Sequence, residues 1–183
     1  MLSCTIMYRI DTLLKQENRL FHTNDLALLW QIKIRNTLYT TIKRYVQKGI
    51  LTRIHKGFYS AIPIEKLNPV ELGIGYIHSF AYLSTESILQ EFGVIFQVSD
   101  YITLVSSVSK KFTIGSHSYL VRKMKDEFLY QTMGLTERDG VKVASLERAV
   151  ADVLYFNPQI QFDNREIINW KGVKEIQKKA FSL

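Results

Sequence analysis

The sequence contains a single cysteine, Cys4, among its 183 residues, and it has little proline or glycine. One cysteine excludes an intrachain disulfide and a cysteine-rich zinc site, and this usage is typical of a reducing compartment. With three prolines, nine glycines and 46% hydrophobic residues, the composition is that of a folded protein rather than a disordered or collagenous one.

The sequence also lacks a long uninterrupted apolar run. Its first residues do not join a basic start to an apolar stretch, so we expect no secretion signal. The longest apolar region, residues 73–96, is interrupted by charged and amide side chains. It falls short of the roughly 20 apolar residues that a membrane span needs. We therefore expect a cytoplasmic protein with no membrane partner.

The net charge of +7 is unevenly distributed along the chain. Residues 1–60 hold ten Lys and Arg against three Asp and Glu, whereas residues 61–183 hold 14 of each sign. Between residues 31 and 56 there is no acidic residue, and seven basic residues are found: Lys33, Arg35, Lys43, Arg44, Lys48, Arg53 and Lys56. Clustered cations of this kind are typical of a surface that binds a polyanion, whereas a merely solubilising surface mixes both signs.

Three short helices are predicted in this basic segment. Apolar residues at helical spacing predict the first helix over residues 5–16. Thr23 is the expected N-cap of the second helix, with Asp25 in its first turn, where the helix dipole favours an anion. Asn36 is the expected N-cap of a third helix that reaches Lys48, with the following glycine in a left-handed C-terminal stop.

The third helix has two chemically distinct faces on a helical wheel. The predicted core face holds Leu38, Ile42, Tyr45 and Val46. The opposite face holds Thr40, Lys43, Arg44 and Gln47, with Thr37 and Tyr39 beside it. Hydroxyl, amide and cationic groups on one face can reach base edges and phosphates, so the pattern predicts a DNA recognition helix.

A β-hairpin is predicted directly after this helix. Residues 50–55 are rich in β-branched side chains, Lys56 and Gly57 form a turn signal, and residues 58–60 return. A hairpin in this position is the wing of a winged helix-turn-helix. Its side chains Arg53, His55 and Lys56 are expected to contact backbone phosphates or the adjacent minor groove.

The segments that carry these features resemble the N-terminal winged helix of AbiEi family antitoxins. They are Phe-His-Thr-Asn-Asp-Leu-Ala at residues 21–27, Asn-Thr-Leu-Tyr at 36–39 and Gly-Ile-Leu-Thr-Arg-Ile-His-Lys-Gly-Phe-Tyr-Ser at 49–60. The resemblance implies a DNA-binding domain.

A second domain is predicted after a proline-containing linker. We place the winged helix-turn-helix at residues 1–61, the linker at 62–69 and an α+β domain at 70–183. One sheet is expected from strands at residues 101–105, 111–114, 119–121 and 141–143. Three helices are expected in this domain. The first begins at Asn68 and Pro69 and ends near Ser79. The second has its N-cap at Ser84 and its stop at Gly93, and the third has its N-cap at Ser145.

Two segments of this second domain extend the resemblance to AbiEi-type antitoxins. They are residues 81–93, which include Ala-Tyr-Leu-Ser-Thr-Glu-Ser-Ile-Leu and Phe-Gly, and residues 143–152, Val-Ala-Ser-Leu-Glu-Arg-Ala-Val-Ala-Asp. With the winged helix, the resemblance covers most of residues 20–157. It implies a repressor of its own promoter and the antitoxin of a type IV toxin–antitoxin system. The implied partner is a nucleotidyltransferase-like toxin, which such an antitoxin counters with or without direct contact.

Catalysis is not predicted, and neither is a cofactor. A nuclease needs converging carboxylates near a lysine, and no Asp or Glu lies within the predicted strands. Glu147 and Asp152 flank opposite sides of an apolar helical stripe, so we expect structural roles, with Asp152 paired to a nearby cation. The four histidines show no metal-ligand spacing: His22, His55, His78 and His117. The sequence also contains no glycine-rich phosphate loop.

Two alternatives remain open at this stage. The winged helix is also compatible with a generic transcriptional regulator, or with a module that binds an acidic protein partner. A nuclease subunit is a third and less favoured interpretation.

Overall fold

The structure is a computed structural model that describes residues 2–97 and 99–181, with side chains from Tyr8 onward. The chain divides into two compact units, Met1–Asn68 and Pro69–Leu183. Both units combine helices with a sheet, so the α+β class predicted from the sequence is confirmed.

The first unit consists of three helices and a small antiparallel sheet. Its elements, in chain order, are α1 (Leu2–Leu14), β1 (Leu20–His22), α2 (Thr23–Leu29), α3 (Arg35–Gln47), β2 (Thr52–His55) and β3 (Phe58–Ser60). The sheet order is β1-β3-β2, so the second strand of the hairpin is central. β1 was not predicted from the sequence; Leu20 pairs with Ser60 in this sheet.

The predicted N-caps of α2 and α3 are both wrong by one or two residues. His22 caps α2, and its backbone N–H donates to the Asp25 carboxylate over 2.7 Å. The Thr23 hydroxyl instead donates to the carbonyl of Gly57, because the neighbouring hairpin offers an acceptor. The N-cap of α3 is Ile34, so Asn36 lies inside the helix.

The core of the first unit joins all three helices to the sheet. Its buried members include Leu13 from α1, Leu26 from α2, Leu38 from α3 and Phe21 from β1. The predicted stop of α3 is confirmed at Gly49, which has φ +68°. Glycine occupies this left-handed conformation without the steric cost that other residues meet there.

The second unit contains a six-stranded mixed sheet packed by helices. Its elements are α4 (Pro69–Ile77), β4 (Ala81–Leu83), α5 (Glu86–Glu91), β5 (Tyr101–Ser106), β6 (Lys110–Ile114), β7 (His117–Lys123), α6 (Asp126–Leu129), β8 (Leu135–Arg138), β9 (Val141–Ala144), α7 (Leu146–Phe156) and α8 (Trp170–Ala180). The sheet order is β6-β7-β5-β4-β9-β8.

All four strands predicted for this unit lie in that one sheet, as expected. The sequence reading missed β4 and β8, which have only three and four residues. β4 is central, because it pairs antiparallel with β5 and parallel with β9. α7 begins as predicted, since the Ser145 side chain accepts a hydrogen bond from the backbone N–H of Arg148 over 3.2 Å.

The predicted cap at Ser84 is wrong. The N-cap of α5 is Thr85, and the Ser84 hydroxyl donates to the carboxylate of Asp152 over 2.7 Å. The predicted stop at Gly93 is confirmed by its φ of +67°. Within the described ranges, no helix combines the length and the apolar character that crossing a bilayer requires.

Candidate nucleic-acid interface

Helix α3 is buried along one face and exposed along the other, as the helical wheel predicts. Leu38, Ile42 and Tyr45 are buried in the core. The polar side chains predicted to face DNA are all exposed: Thr37, Tyr39, Thr40, Lys43, Arg44 and Gln47. The orientation of α3 therefore presents a hydroxyl-, amide- and cation-bearing surface to solvent.

Contacts behind α3 hold it in this orientation. The guanidinium of Arg9, from α1, donates to the hydroxyl of Thr41 on the buried side of α3 over 3.5 Å. The indole of Trp30 packs edge-on against Tyr45, with 5.0 Å between ring centroids, and its N–H donates to the carbonyl of Arg9. Burial raises the pKa of Tyr45, so its hydroxyl stays neutral in the core. Packed aromatic rings and hydrogen bonds thus prevent α3 from turning its polar face inward.

The seven cations of residues 31–56 are all exposed. Within the described part of the chain, none of these seven cations forms an ion pair with a carboxylate. Their charges are therefore not neutralised locally. A cluster of exposed, unpaired cations of this kind attracts phosphate groups and releases condensed counterions when it binds them.

The hairpin is attached firmly to the start of α2. The backbone N–H of Thr23 donates to the carbonyl of Gly57 over 2.9 Å. The rings of His22 and Phe58 stack, with centroids 4.6 Å apart. Gly57 itself has φ +82°, a turn conformation that glycine adopts readily. The hairpin tip with Lys56 is consequently fixed relative to the helices.

A groove of about 360 Å³ runs between α3 and the hairpin. Four of the nine predicted DNA-binding residues line it: Tyr39, Lys43, Gln47 and Arg53. The other five do not line this groove, although all are exposed: Thr37, Thr40, Arg44, His55 and Lys56. The structure thus brings a strand cation and one side of α3 into a single concave surface.

The nine residues predicted to contact DNA do not include the residues at the start of α3. Ile34, Arg35 and Asn36 are exposed, and Lys33 is exposed just before them. The assignment of Asn36 as an N-cap concealed its exposure, because a capping side chain folds back onto the helix backbone. Only the observed start of the helix reveals that this side chain faces outward.

The second unit contains a buried polar network that joins residues 81–93 to residues 143–152. Arg148 and Asp152 form an ion pair with 2.8 Å between Nε and Oδ1, and both side chains are fully buried. Ser84 donates to the second carboxylate oxygen, and Arg148 donates to the Tyr82 hydroxyl over 2.9 Å. The remaining guanidinium N–H groups donate to the carbonyls of Gln131, Met133 and Phe128.

This network has a structural role. Burial raises the pKa of the Asp152 carboxyl, while the Arg148 guanidinium and the Ser84 hydroxyl oppose that shift. No solvent reaches either charged group, and all three guanidinium nitrogens of Arg148 donate to acceptors within the fold. A catalytic carboxylate must reach a substrate, so this pair stabilises the fold rather than performing chemistry.

A second cavity, of about 400 Å³, lies beside the ion pair between Glu86 and Arg122. The carboxylate of Glu86 has one buried oxygen without a hydrogen-bond partner among the described residues. Clusters of three or more potential metal ligands are absent from the described residues. The groups around this cavity therefore offer no evident metal centre.

No protein-family model matches the sequence, and no curated protein matches it. Among solved structures, the chain is similar to the crystal structure of the RV2827C protein from Mycobacterium tuberculosis, with a TM-score of 0.51 and 12% sequence identity. The similarity covers 98% of this chain and 67% of that one. At this identity the similarity concerns the fold alone.

Proposed function

We propose that the protein is a cytoplasmic DNA-binding repressor and the antitoxin of a type IV toxin–antitoxin system, acting on its own promoter. The observation that carries the DNA-binding half is the exposed polar face of α3 and its unneutralised cations. In this proposal the first unit is a winged helix-turn-helix, α3 enters the major groove, and the hairpin contacts the flanking backbone.

The arrangement of the first unit supports this docking. The order of helices followed directly by a basic hairpin is the order that a winged helix-turn-helix requires. Lys43 and Arg53 share one groove, so a helix cation and a hairpin cation face the same volume. A rigid surface of this kind binds phosphates at little entropic cost, because the supporting elements are already ordered.

The antitoxin half rests on the resemblance of residues 81–93 and 143–152 to AbiEi-type antitoxins. Ser84 from the first segment donates to Asp152 from the second, which gives these positions a shared structural reason to be Ser and Asp. The partner is a nucleotidyltransferase-like toxin. The second unit counters it, with or without direct contact.

A gel-shift assay tests the DNA-binding half. The full chain is titrated against the duplex upstream of its own gene and against an unrelated duplex of equal length. We expect the upstream duplex to bind at least a hundredfold more tightly at about 150 mM salt, because specific sites exceed non-specific ones by about 10³-fold or more. Equal binding to both duplexes would indicate a non-specific polyanion surface, and no binding to either would indicate a module for a protein partner.

Co-expression tests the antitoxin half. A nucleotidyltransferase-like gene beside this one should arrest growth when expressed alone, and this protein should restore growth. The second unit carries the effect, so the Lys43→Ala/Arg44→Ala variant should still restore growth when expressed from a foreign promoter. Failure of the wild-type protein to restore growth would reduce the proposal to a generic regulator.

A further inference from the structure

Asn36 lies near the start of α3, and its side chain is available to a ligand. Ile34 is the N-cap of the helix and forms no side-chain capping bond, so the carboxamide of Asn36 is not needed there. Asn36 is exposed. Within the described residues its side chain forms no hydrogen bond, unlike the capping side chains of Ser145 and Asn169, which accept from backbone N–H groups.

Asn36 also heads a continuous polar stripe along α3. On a wheel of 100° per residue, Lys43 and Gln47 each lie about 20° from Asn36, one on either side of it. Thr40 lies about 40° to one side of Asn36 on the same wheel. All four side chains are exposed. Their positions follow the spacing i, i+4, i+7 and i+11, so they form one row opposite the buried face of α3.

The chemistry of the row differs along its length. Lys43 and Gln47 lie beside Arg53 in the groove between α3 and the hairpin, where two cations line one volume. Asn36 lies outside that groove, two turns closer to the start of the helix. In helix-turn-helix proteins, residues near the start of the recognition helix contact base edges.

We propose that Asn36 reads an adenine in the major groove of the operator. The proposal rests on the proposed DNA-binding function and specifies how that surface selects sequence. A carboxamide offers one donor and one acceptor side by side, and adenine presents the complementary N7 acceptor and N6 donor at the major-groove edge. Asn36 accepts from N6 and donates to N7, so it determines specificity at one base pair.

The test selects binding sites for the full-length wild-type protein from a pool of random duplexes, then compares Asn36→Ala with Asn18→Ala. Asn18 is exposed in the loop after α1 and serves as the matched control. Alanine is a good helix former, so α3 should persist in the variant, which circular dichroism checks. We expect Asn36→Ala to bind the selected duplex about tenfold or more weakly and Asn18→Ala to bind as the wild type does.

Base analogues identify the contacted edge. Replacing each adenine of the selected duplex in turn by 7-deazaadenine removes the N7 acceptor. We expect one such replacement to weaken wild-type binding about tenfold. The same replacement should not weaken the binding of the Asn36→Ala variant any further. Asn36→Ala affinity equal to that of the wild type, or a loss that is the same for every base at every position, would overturn the proposal.

The outcomes separate this proposal from the function beneath it. If the wild-type protein enriches no sequence from the pool, the proposed function fails. If it enriches a sequence that Asn36→Ala binds equally well, the function stands and the adenine contact is wrong.

Discussion

The guanidinium of Arg148 donates through Nε to Oδ1 of Asp152 over 2.8 Å, and neither side chain is exposed to solvent. Burying two charges is costly unless each is paired and its other hydrogen-bonding sites are satisfied. Here Ser84 satisfies the second carboxylate oxygen, and the Tyr82 hydroxyl and backbone carbonyls accept from the other guanidinium donors. The network around the pair therefore joins α7 to β4 and to the segment before β8.

Replacing Arg148 by alanine should destabilise the second unit strongly. The substitution leaves the Asp152 carboxylate buried without its partner, which costs about 3–5 kcal/mol. Urea unfolding followed by circular dichroism measures the loss. The control is Arg138→Ala, because Arg138 pairs with Glu91 at an exposed site and such a pair contributes about 0–1 kcal/mol. Similar losses for the two variants would contradict the structural role given to the buried pair.

Gly73 is expected to tolerate no side chain, although it lies in a helix. A Cβ added there would lie 2.4 Å from Cε1 of the Tyr119 ring. Alanine favours a helix over glycine by about 1 kcal/mol, but overpacking against a rigid ring costs about 1–3 kcal/mol. We expect Gly73→Ala to lower the unfolding free energy. Gly172→Ala is the control, since its nearest neighbour is the flexible Glu147 side chain at 3.0 Å, and it should be neutral or stabilising.

Tyr119 should make the protein sensitive to alkaline pH. Its hydroxyl donates to the carbonyl of Pro69, and burial raises its pKa to about 12. Because the folded-state pKa exceeds the unfolded value of about 10, this contribution is complete below pH 10 and is lost as the pH rises from 10 through 12. Between pH 9 and 12, the unfolding free energy measured in urea should fall less for Tyr119→Phe than for the wild type, by on the order of 2 kcal/mol. Equal declines would contradict the shift.

Arg44 and Lys56 should affect DNA binding differently. If Arg44 reads a base, Arg44→Ala should weaken binding to the operator by about 1–3 kcal/mol and relax its sequence preference. Lys56 at the hairpin tip should contact only phosphate, so Lys56→Ala should weaken binding to all duplexes equally. Gel shifts with matched and scrambled duplexes measure both effects. Wild-type affinity in both variants would remove these residues from the interface.

Much of the fold could be predicted because local signals agreed with tertiary packing. α7 has an N-cap serine followed by apolar residues at helical spacing, and Ser145 caps it as expected. Gly49 and Gly93 end helices in the left-handed conformation that favours glycine. At these positions the residue type alone identifies the backbone geometry.

Other features depend on partners that are distant in sequence. The strands β1, β4 and β8 are defined by their neighbours in the sheet. Ser84 has the residue type of an N-cap, yet its hydroxyl donates a hydrogen bond to Asp152, which is 68 residues away in the sequence. Such competition between local and tertiary acceptors cannot be read from spacing.

The candidate site was partly predictable for the same reason. Periodicity alone separates the buried face of α3 from the exposed one, so the wheel identifies Lys43 and Gln47 as outward-facing. The approach of Arg53 to them requires the placement of the hairpin, which β1 and Gly57 determine. The exposure of Asn36 was not predicted, because the same residue type serves as a helix cap and as a base reader.

The most direct test of the account is the salt dependence of duplex binding in two triple variants of equal charge change. One removes Lys43, Arg44 and Arg53 from the proposed interface, and the other removes Lys171, Lys174 and Lys178 from the exposed side of α8. Each phosphate contact contributes about −0.9 to the slope of log K against log salt. We predict that the slope for the first variant becomes shallower by the equivalent of about two to three phosphate contacts. The second variant should retain the wild-type slope and affinity. Equal changes in both variants, or a wild-type protein whose binding does not respond to salt, would contradict the account.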